Sequence, residues 1–577
     1  MRRIWLASGV GIGIAAAIGL GLVFSPATAD TPPPANYLAE ISAIRNEGLQ
    51  GSLVMDHLSW LADVYGPRTH GSPGLLAASD WALARASEWG LEDGHREFFK
   101  VGEGWEMTKS VIRMTAPQPM QIIGYPMGWT PGTNGPVTAE AVNAVLRTPA
   151  DFDAWRGKLK GKIVLIQTAR PVVPITLPLN HVYDEDQIAM LAGETPVGQQ
   201  WLAGARPDGK AWSKPDATGF DGWFGSDEGN RWTDQLVAFL KAEGVVAVIE
   251  RGPDETVRSA VSRFEMMPAR TQRIDGGTIS LPASRPGLDN ETRLLPWVVI
   301  AVEHYNRMVR ILQKGVPVTI EMDIGVTWYP ESGEGNGFNT LAEIRGSDKA
   351  EEIVLVGGHL DGAHAAAGAV DNAAGAAVVM EAMRLLKRLG LKPRRTIRMA
   401  LWGAEENGLV GSTAYVAQHY GDPMTGAPPS PDAGKVSVYF NIDSGAGAIR
   451  GIFSRNNLAA MPVLQRWIAP LHDLGVVVVA PRGTLSMTDG HAISGGSDHL
   501  AFDVAGIPGL ELIQDRLDYF SRTAHTNMDF VDRAPEANLV QAATVLAALI
   551  YQAAMDEEPL PRRAPVSPAV LPRRDAQ

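Results

Sequence analysis

Residues 352–389 read EIVLVGGHLDGAHAAAGAVDNAAGAAVVMEAMRLLKRL, and this stretch decides the fold. The apolar run 353–356 has the character of a buried strand, and the glycines at 357 and 358 break it to present His359 and Asp361. Asp371 follows, just ahead of a segment in which Val379, Met383, Leu386 and Leu389 recur at helical spacing. A strand end and a helix start therefore each offer a metal ligand.

The same arrangement recurs down the chain. A second strand signal, 396–401, leads to the adjacent Glu405 and Glu406, and a third, 436–442, ends at Asp443. Carboxylates delivered at the carboxyl ends of successive strands are what open α/β sheets use to build sites. Residues 519–529, YFSRTAHTNMD, add His525. Imidazoles and carboxylates in this number suit two zinc ions. Two metals roughly 3.5–4 Å apart can share a carboxylate and a hydroxide, which makes a nucleophile at neutral pH. Neighbouring side chains on an extended segment point apart, so one of Glu405 and Glu406 can bind metal while the other faces the water. Taken singly, each residue has a plainer use: a histidine in a glycine-rich loop is commonly solvated, and an aspartate before a helix commonly caps it.

In chain order, GGHLD (357–361), VDNAAG (370–375), WGAEENGLVGS (402–412), NIDSGAG (441–447) and HTNMD (525–529) resemble the zinc aminopeptidase family, and in particular its carboxypeptidase Q-like branch. YGPRTHGS (65–72), FNTLAEIRGS (338–347) and LKPRRTIRMALWGAEE (391–406) extend the resemblance over most of the chain after residue 37. The resemblance implies that Asp371 bridges both metals, that His359 and Asp443 complete one site, and that Glu406 and His525 complete the other. It implies Glu405 as the general base passing a proton from water to the leaving amine, and Asp361 as the acceptor of the free ring N–H of His359. His499, in GGSDHLAF (495–502), is expected to be a substrate-side or structural group and not a ligand. His364 departs from the family pattern and reads as a solvated loop histidine. Tyr519 is open between donating to an oxyanion and packing.

The chain has 577 residues, 45% hydrophobic and 20% charged, which predicts a globular protein of more than one domain. Its formal net charge of -13, with no basic stripe along the main body, argues against nucleic acid as a partner. With no cysteine, any metal must be held by histidine and carboxylate. Residues 1–29 read as a signal peptide: Arg2 and Arg3, an apolar run 4–23, and Ala27-Thr28-Ala29 as the cleavage site. The expectation is an exported protein, periplasmic or secreted. The run is also long enough to span a bilayer, so an uncleaved anchor stays open. No later stretch reads as a span.

Residues 37–133 read as the first segment of the catalytic domain, helical over 37–65 with a break near 48–51, and helical again over 81–89. Residues 134–326 read as an insertion that resembles a protease-associated domain, with strands at 161–166, 245–249 and 295–300 and helices at 232–242 and 304–314. Within it, 191–230 reads as a loop excursion whose Trp201, Trp212 and Trp223 anchor it or line a cleft. Residues 330–556 read as the catalytic dizinc domain, and 557–577, rich in proline and arginine, as a disordered tail. The expected fold is α/β: a doubly wound, mostly parallel mixed sheet flanked by helices, with the smaller α/β insertion. The expected function is that of an exopeptidase acting on short peptides with two zinc ions per chain; a homodimer is a further family expectation. Two alternatives stay open, an inactive receptor or binding protein on the same fold and a one-zinc, glutaminyl cyclase-like acyltransferase.

Overall fold

The strand Lys349–His359 lies at the centre of an eight-stranded mixed sheet in the computed structural model. Outward on one side come Arg395–Trp402, Gly337–Ile344 and Glu92–Phe99; on the other come Val436–Asn441, Gly509–Gln514, Ile449–Phe453 and Val478–Ala480. The central strands run parallel, with antiparallel pairings toward both edges. Residues 37–172, 178–193, 227–252, 275–281, 295–421, 428–455, 457–481 and 497–563 are described. The signal-peptide reading of 1–29, most of the 191–230 excursion with its three tryptophans, and the end of the tail lie outside them.

The register of the parallel strands positions the site. His359 sits beside Trp402, and Gly357 beside Asn441, so the three chains leave the sheet at one edge and turn their next residues into one region. The strand does not break at its glycines as the sequence suggested. It runs through to His359, because glycine is what this packing requires: a Cβ on Gly358 would lie 2.6 Å from the Ile442 carbonyl oxygen, and one on Gly357 2.4 Å from that of Ala400.

The helix Ala374–Arg388 follows the Asp371 turn and buries nearly its whole length between the sheet and the last helix, Glu536–Met555. That last helix corrects the expectation that no later stretch could span a membrane. It is long and apolar enough, but 83% of its apolar window is buried against the protein core. Near the start of the chain, Leu38–Gly51 and Val54–Ser59 are separate helices; the first runs through 48–51, and the break falls just beyond, at Ser52 and Leu53. The next helix begins earlier than expected, at Pro73, because the Ser72 side chain accepts the Leu75 N–H at 3.3 Å and proline occupies the first helical position; Gly90, at φ 81°, ends it.

A second eight-stranded sheet is built around a long antiparallel ribbon, Gly104–Ala116 paired with Val318–Tyr329. Strand pairing thus reaches beyond residues 134–326 on both sides. Val137–Asn143, Ile163–Leu165, Ala247–Glu250 and Trp297–Ile300 fill the sheet, with the helices Asp227–Glu243 and Val302–Leu312. The tail is not wholly loose: Leu560 is buried, its N–H meets Ser437 Oγ at 3.2 Å, and Arg562 donates to the Ala433 carbonyl at 2.8 Å.

Candidate metal centre

The seven residues singled out in the sequence meet at the carboxyl edge of the first sheet. His359 is 1% exposed, and its Nε2 lies 3.3 Å from Asp371 Oδ1, 3.3 Å from Asp443 Oδ1 and 3.9 Å from Glu405 Oε2. His525 Nε2 lies 3.0 Å from Glu406 Oε2 and 3.4 Å from Asp371 Oδ2. Two three-residue groups result, His359–Asp371–Asp443 and Asp371–Glu406–His525, and in each one ligand atom per residue lies within 4.8 Å of the others. Asp371 belongs to both, one oxygen toward each histidine.

Local structure explains why Asp371 is available. It does not cap the helix that follows; Asn372 accepts the Gly375 N–H instead, at 3.1 Å. Asp529 Oδ1 and Oδ2 accept the N–H groups of Val370 and Asp371 at 2.6 and 3.0 Å and hold the turn from below. Glu405 and Glu406 are held in the same manner, each donating its N–H to the Asp361 carboxylate at 3.2 Å. The ring Nδ1–H of His359 is accepted by the Asp361 main-chain carbonyl at 3.0 Å, while the carboxylate, at 3.7 Å, is engaged by the two glutamate amides.

The electrostatics call for cations. Burial pushes the Glu405 carboxyl well above its ordinary range; His359 opposes this, and Asp443, Asp498 and Glu406 add to it. Glu406 is raised for the same first reason, and Asp529 strongly so. Burial would lower the His359 pKa, but the Asp443 and Glu405 carboxylates carry it well up. Asp371 Oδ2 and Glu406 Oε1 are buried without a hydrogen-bond partner among the described residues. Crowded buried carboxylates with unsatisfied oxygens are costly unless a positive charge pairs with them. Oxygen and imidazole donors in two groups of three, sharing one carboxylate, fit two zinc ions with coordination positions to spare.

One expectation for a neighbouring residue changes. His364 is not solvated: it is 3% exposed, its Nε2 donates to the Pro126 carbonyl at 2.7 Å, and its ring meets Trp105 edge-on at 5.0 Å. Burial takes its pKa down to about 4. Trp105 stacks on Trp129, which stacks on His70, so one aromatic row joins the site loop to the second sheet. His499 is buried beneath the site, its Nδ1 3.4 Å from Asn441 Nδ2. Tyr519 is buried, with its phenol close enough to the Asp371 carboxylate to help hold that carboxylate's pKa down. Burial and the surrounding carboxylates raise its phenol well above the ordinary value, so it remains a proton donor.

Arg68 went unremarked in the sequence. Fully buried, it donates to the carbonyls of Leu360, Leu61, Ala367 and Gly368 at 2.7–2.8 Å and so pins the loop between His359 and Asp371. Burial takes it down to about 10 against the pull of Asp529, Asp361, Asp371 and Glu406, so it stays charged. The signals were present, since Arg68 lies in the 65–72 motif and Asp529 closes the 525–529 motif, but a buried hub has no local periodicity to mark it.

Residues 339–550 match Peptidase family M28. The chain is 26% identical to Carboxypeptidase Q of Mus musculus over 536 residues, 92% of either chain. It is 32% identical to that of Homo sapiens over 268 residues, 46% of this chain; this match of higher identity spans about half the relative's length (52%). Among solved structures, a Peptidase M28 precursor from Shewanella amazonensis SB2B shares the fold with a TM-score of 0.60 at 23% identity, over 91% of this chain and 99% of that one.

Proposed function

Because the chain belongs to the M28 family of zinc exopeptidases, in its carboxypeptidase Q-like branch, we propose that it removes terminal residues from short peptides at a centre that holds two zinc ions. The observation that carries this is the sharing of Asp371 between two three-residue ligand groups. His359 and Asp443 would hold one ion with Asp371, and Glu406 and His525 the other. When bound, the ions supply a water acidified toward neutrality and a positive charge beside the scissile carbonyl.

The chain's own residues divide the remaining work. Glu405 is the proton carrier: it takes a proton from the attacking water and returns it to the leaving amine. Its main-chain N–H, tied to Asp361, fixes the backbone from which its side chain projects. The Tyr519 phenol, at the Asp371 side of the centre, is the group placed to donate a hydrogen bond to a developing oxyanion once it turns from the Asp371 carboxylate. Arg68 and Asp529 keep the 360–371 loop in one shape, so the reacting groups do not have to be reorganised during each turnover.

Residues 1–29 support export with cleavage after Ala29, against retention as an uncleaved anchor. N-terminal sequencing of the secreted or periplasmic protein should then begin at Asp30.

The central test is metal counting joined to a dipeptide panel. The zinc-loaded chain should bind two ions and hydrolyse unblocked dipeptides, while dipeptides blocked at both ends resist. A single ion per chain would favour the one-zinc acyltransferase, and no hydrolysis with two ions bound would favour a binding protein. Equal cleavage of doubly blocked substrates would refute the exopeptidase reading.

A further inference from the structure

His525 differs from its counterpart His359 in how it is held. His359 ends a central strand and is sealed in at 1% exposure; His525 lies on a loop with its side chain 34% exposed and its backbone at φ +55°, a left-handed conformation unfavourable for a non-glycine residue. Such a conformation persists when surrounding structure over-determines it. Much of that structure comes from the other half of the molecule. Residues 275–281 lie along the loop: Leu281 donates its N–H to the His525 carbonyl at 2.8 Å, Ser280 pairs with Thr526 as an antiparallel bridge, and the Asn527 N–H returns to the Ile279 carbonyl at 3.2 Å.

Asn527 closes this brace with its side chain. Its Oδ1 accepts the Ile279 N–H at 2.7 Å, and its Nδ2 donates to the Gly277 carbonyl at 3.1 Å. Ile279 and Leu281 are buried in the apolar core of the second sheet with Leu240, Val248 and Trp297, so the brace is anchored there and not in the first sheet. A separate contact, from the segment around Tyr183 that packs on Phe453, Val478 and Ile513 of the first sheet, supports the start of the loop. His181 and Leu517 exchange main-chain hydrogen bonds at 2.8 and 2.7 Å, and the Tyr183 N–H meets Asp515 Oδ1 at 2.9 Å.

We infer that the second sheet, through residues 275–281 and the side chain of Asn527, sets the position of the metal ligand His525, making Asn527 a positioning residue for one of the two ions. The inference rests on the two-ion reading of the centre and adds a selectivity to it. His359, Asp371 and Asp443 receive no hydrogen bond from this brace among those described, so the ion they hold should not feel its loss.

The test is calorimetric zinc titration of the metal-stripped full chain, with the parent expected to show two binding events. His525→Ala identifies the event that depends on His525. Asn527→Ala should weaken that same event by at least about 10-fold, the scale on which groups that orient a ligand act, and leave the other event unchanged, which also shows that the variant is folded. Asn527→Asp, which keeps the acceptor for Ile279, should return the affinity to within a few-fold of the parent. If Asn527→Ala does not fold, Asn527→Ser is held to the same criterion. Two unchanged events, or two events weakened alike, overturn the inference; a parent that binds one ion refutes the two-ion reading on which it rests.

Discussion

Replacing Glu381 with glutamine should remove about 3 kcal/mol of stability at neutral pH, and this loss should fade in acid. Glu381 lies ten positions beyond Asp371 on the helix Ala374–Arg388, with a fully buried side chain. Its Oε2 meets Arg384 Nε at 2.7 Å and His57 Nε2 at 3.1 Å; its Oε1 accepts from Arg384 Nη2 at 2.8 Å and from the Leu53 N–H at 3.0 Å. Burial alone would raise its pKa from the ordinary 4.5, but the Arg384 guanidinium, His57 and the Leu53 amide together bring it to about 2. A fall of about 2.5 units at about 1.36 kcal/mol each gives about 3 kcal/mol. Because the folded pKa is depressed, this stability is fully present above the unfolded value and drains away as pH falls from 4.5 toward 2. Roughly half of it should remain at pH 3. Urea unfolding of parent and Glu381→Gln, followed by tryptophan fluorescence at pH 7, 5, 4 and 3, measures the difference; titrating groups that do not touch Glu381 are common to both and cancel. A cost below about 1 kcal/mol at pH 7, or a difference that does not shrink with acid, would refute the assigned charge network.

Three further outcomes follow from the centre. Glu405→Gln should keep both zinc ions by elemental analysis while hydrolysis falls by several orders of magnitude; loss of metal as well would make Glu405 a ligand and not the proton carrier. Arg68→Lys should lower the urea midpoint by the equivalent of several kcal/mol, because one ammonium cannot serve the four carbonyls that the guanidinium holds; an unchanged midpoint would show the loop to be held by other means. His364 is buried with its pKa taken down to about 4, so in the fold it stays neutral while the unfolded chain takes up a proton near its ordinary 6.5. It therefore costs stability as pH falls from 6.5 to 4, and His364→Gln should flatten the parent's stability profile in that window; identical slopes would argue against the buried neutral ring.

The order and chemical type of the site residues could be read directly from the chain because each is tied to a local signal. His359 ends an apolar run, Glu405 and Glu406 follow another, and Asp443 a third, so strand ends and donor types are written side by side. The α/β character was legible for the same reason, since strand and helix periodicities extend over few residues. The helix that starts at Pro73 could have been placed from its own signals, Ser72 before a proline.

What only the folded chain decided are relations between distant residues. The Asp361 carboxylate takes up two glutamate amides because the turn after Trp402 comes within its reach. His364 is driven out of water by Trp105, some 260 positions earlier, and the ribbon 104–116 finds its partner at 318–329. Arg68, Asp529 and Asn527 act through main-chain carbonyls and amides, groups that every residue possesses and that leave no trace in composition. A sequence records which side chains are available; which backbone atoms come within about 3 Å of them is set by packing of the whole chain, and that is why the ligands could be named early and their supports could not.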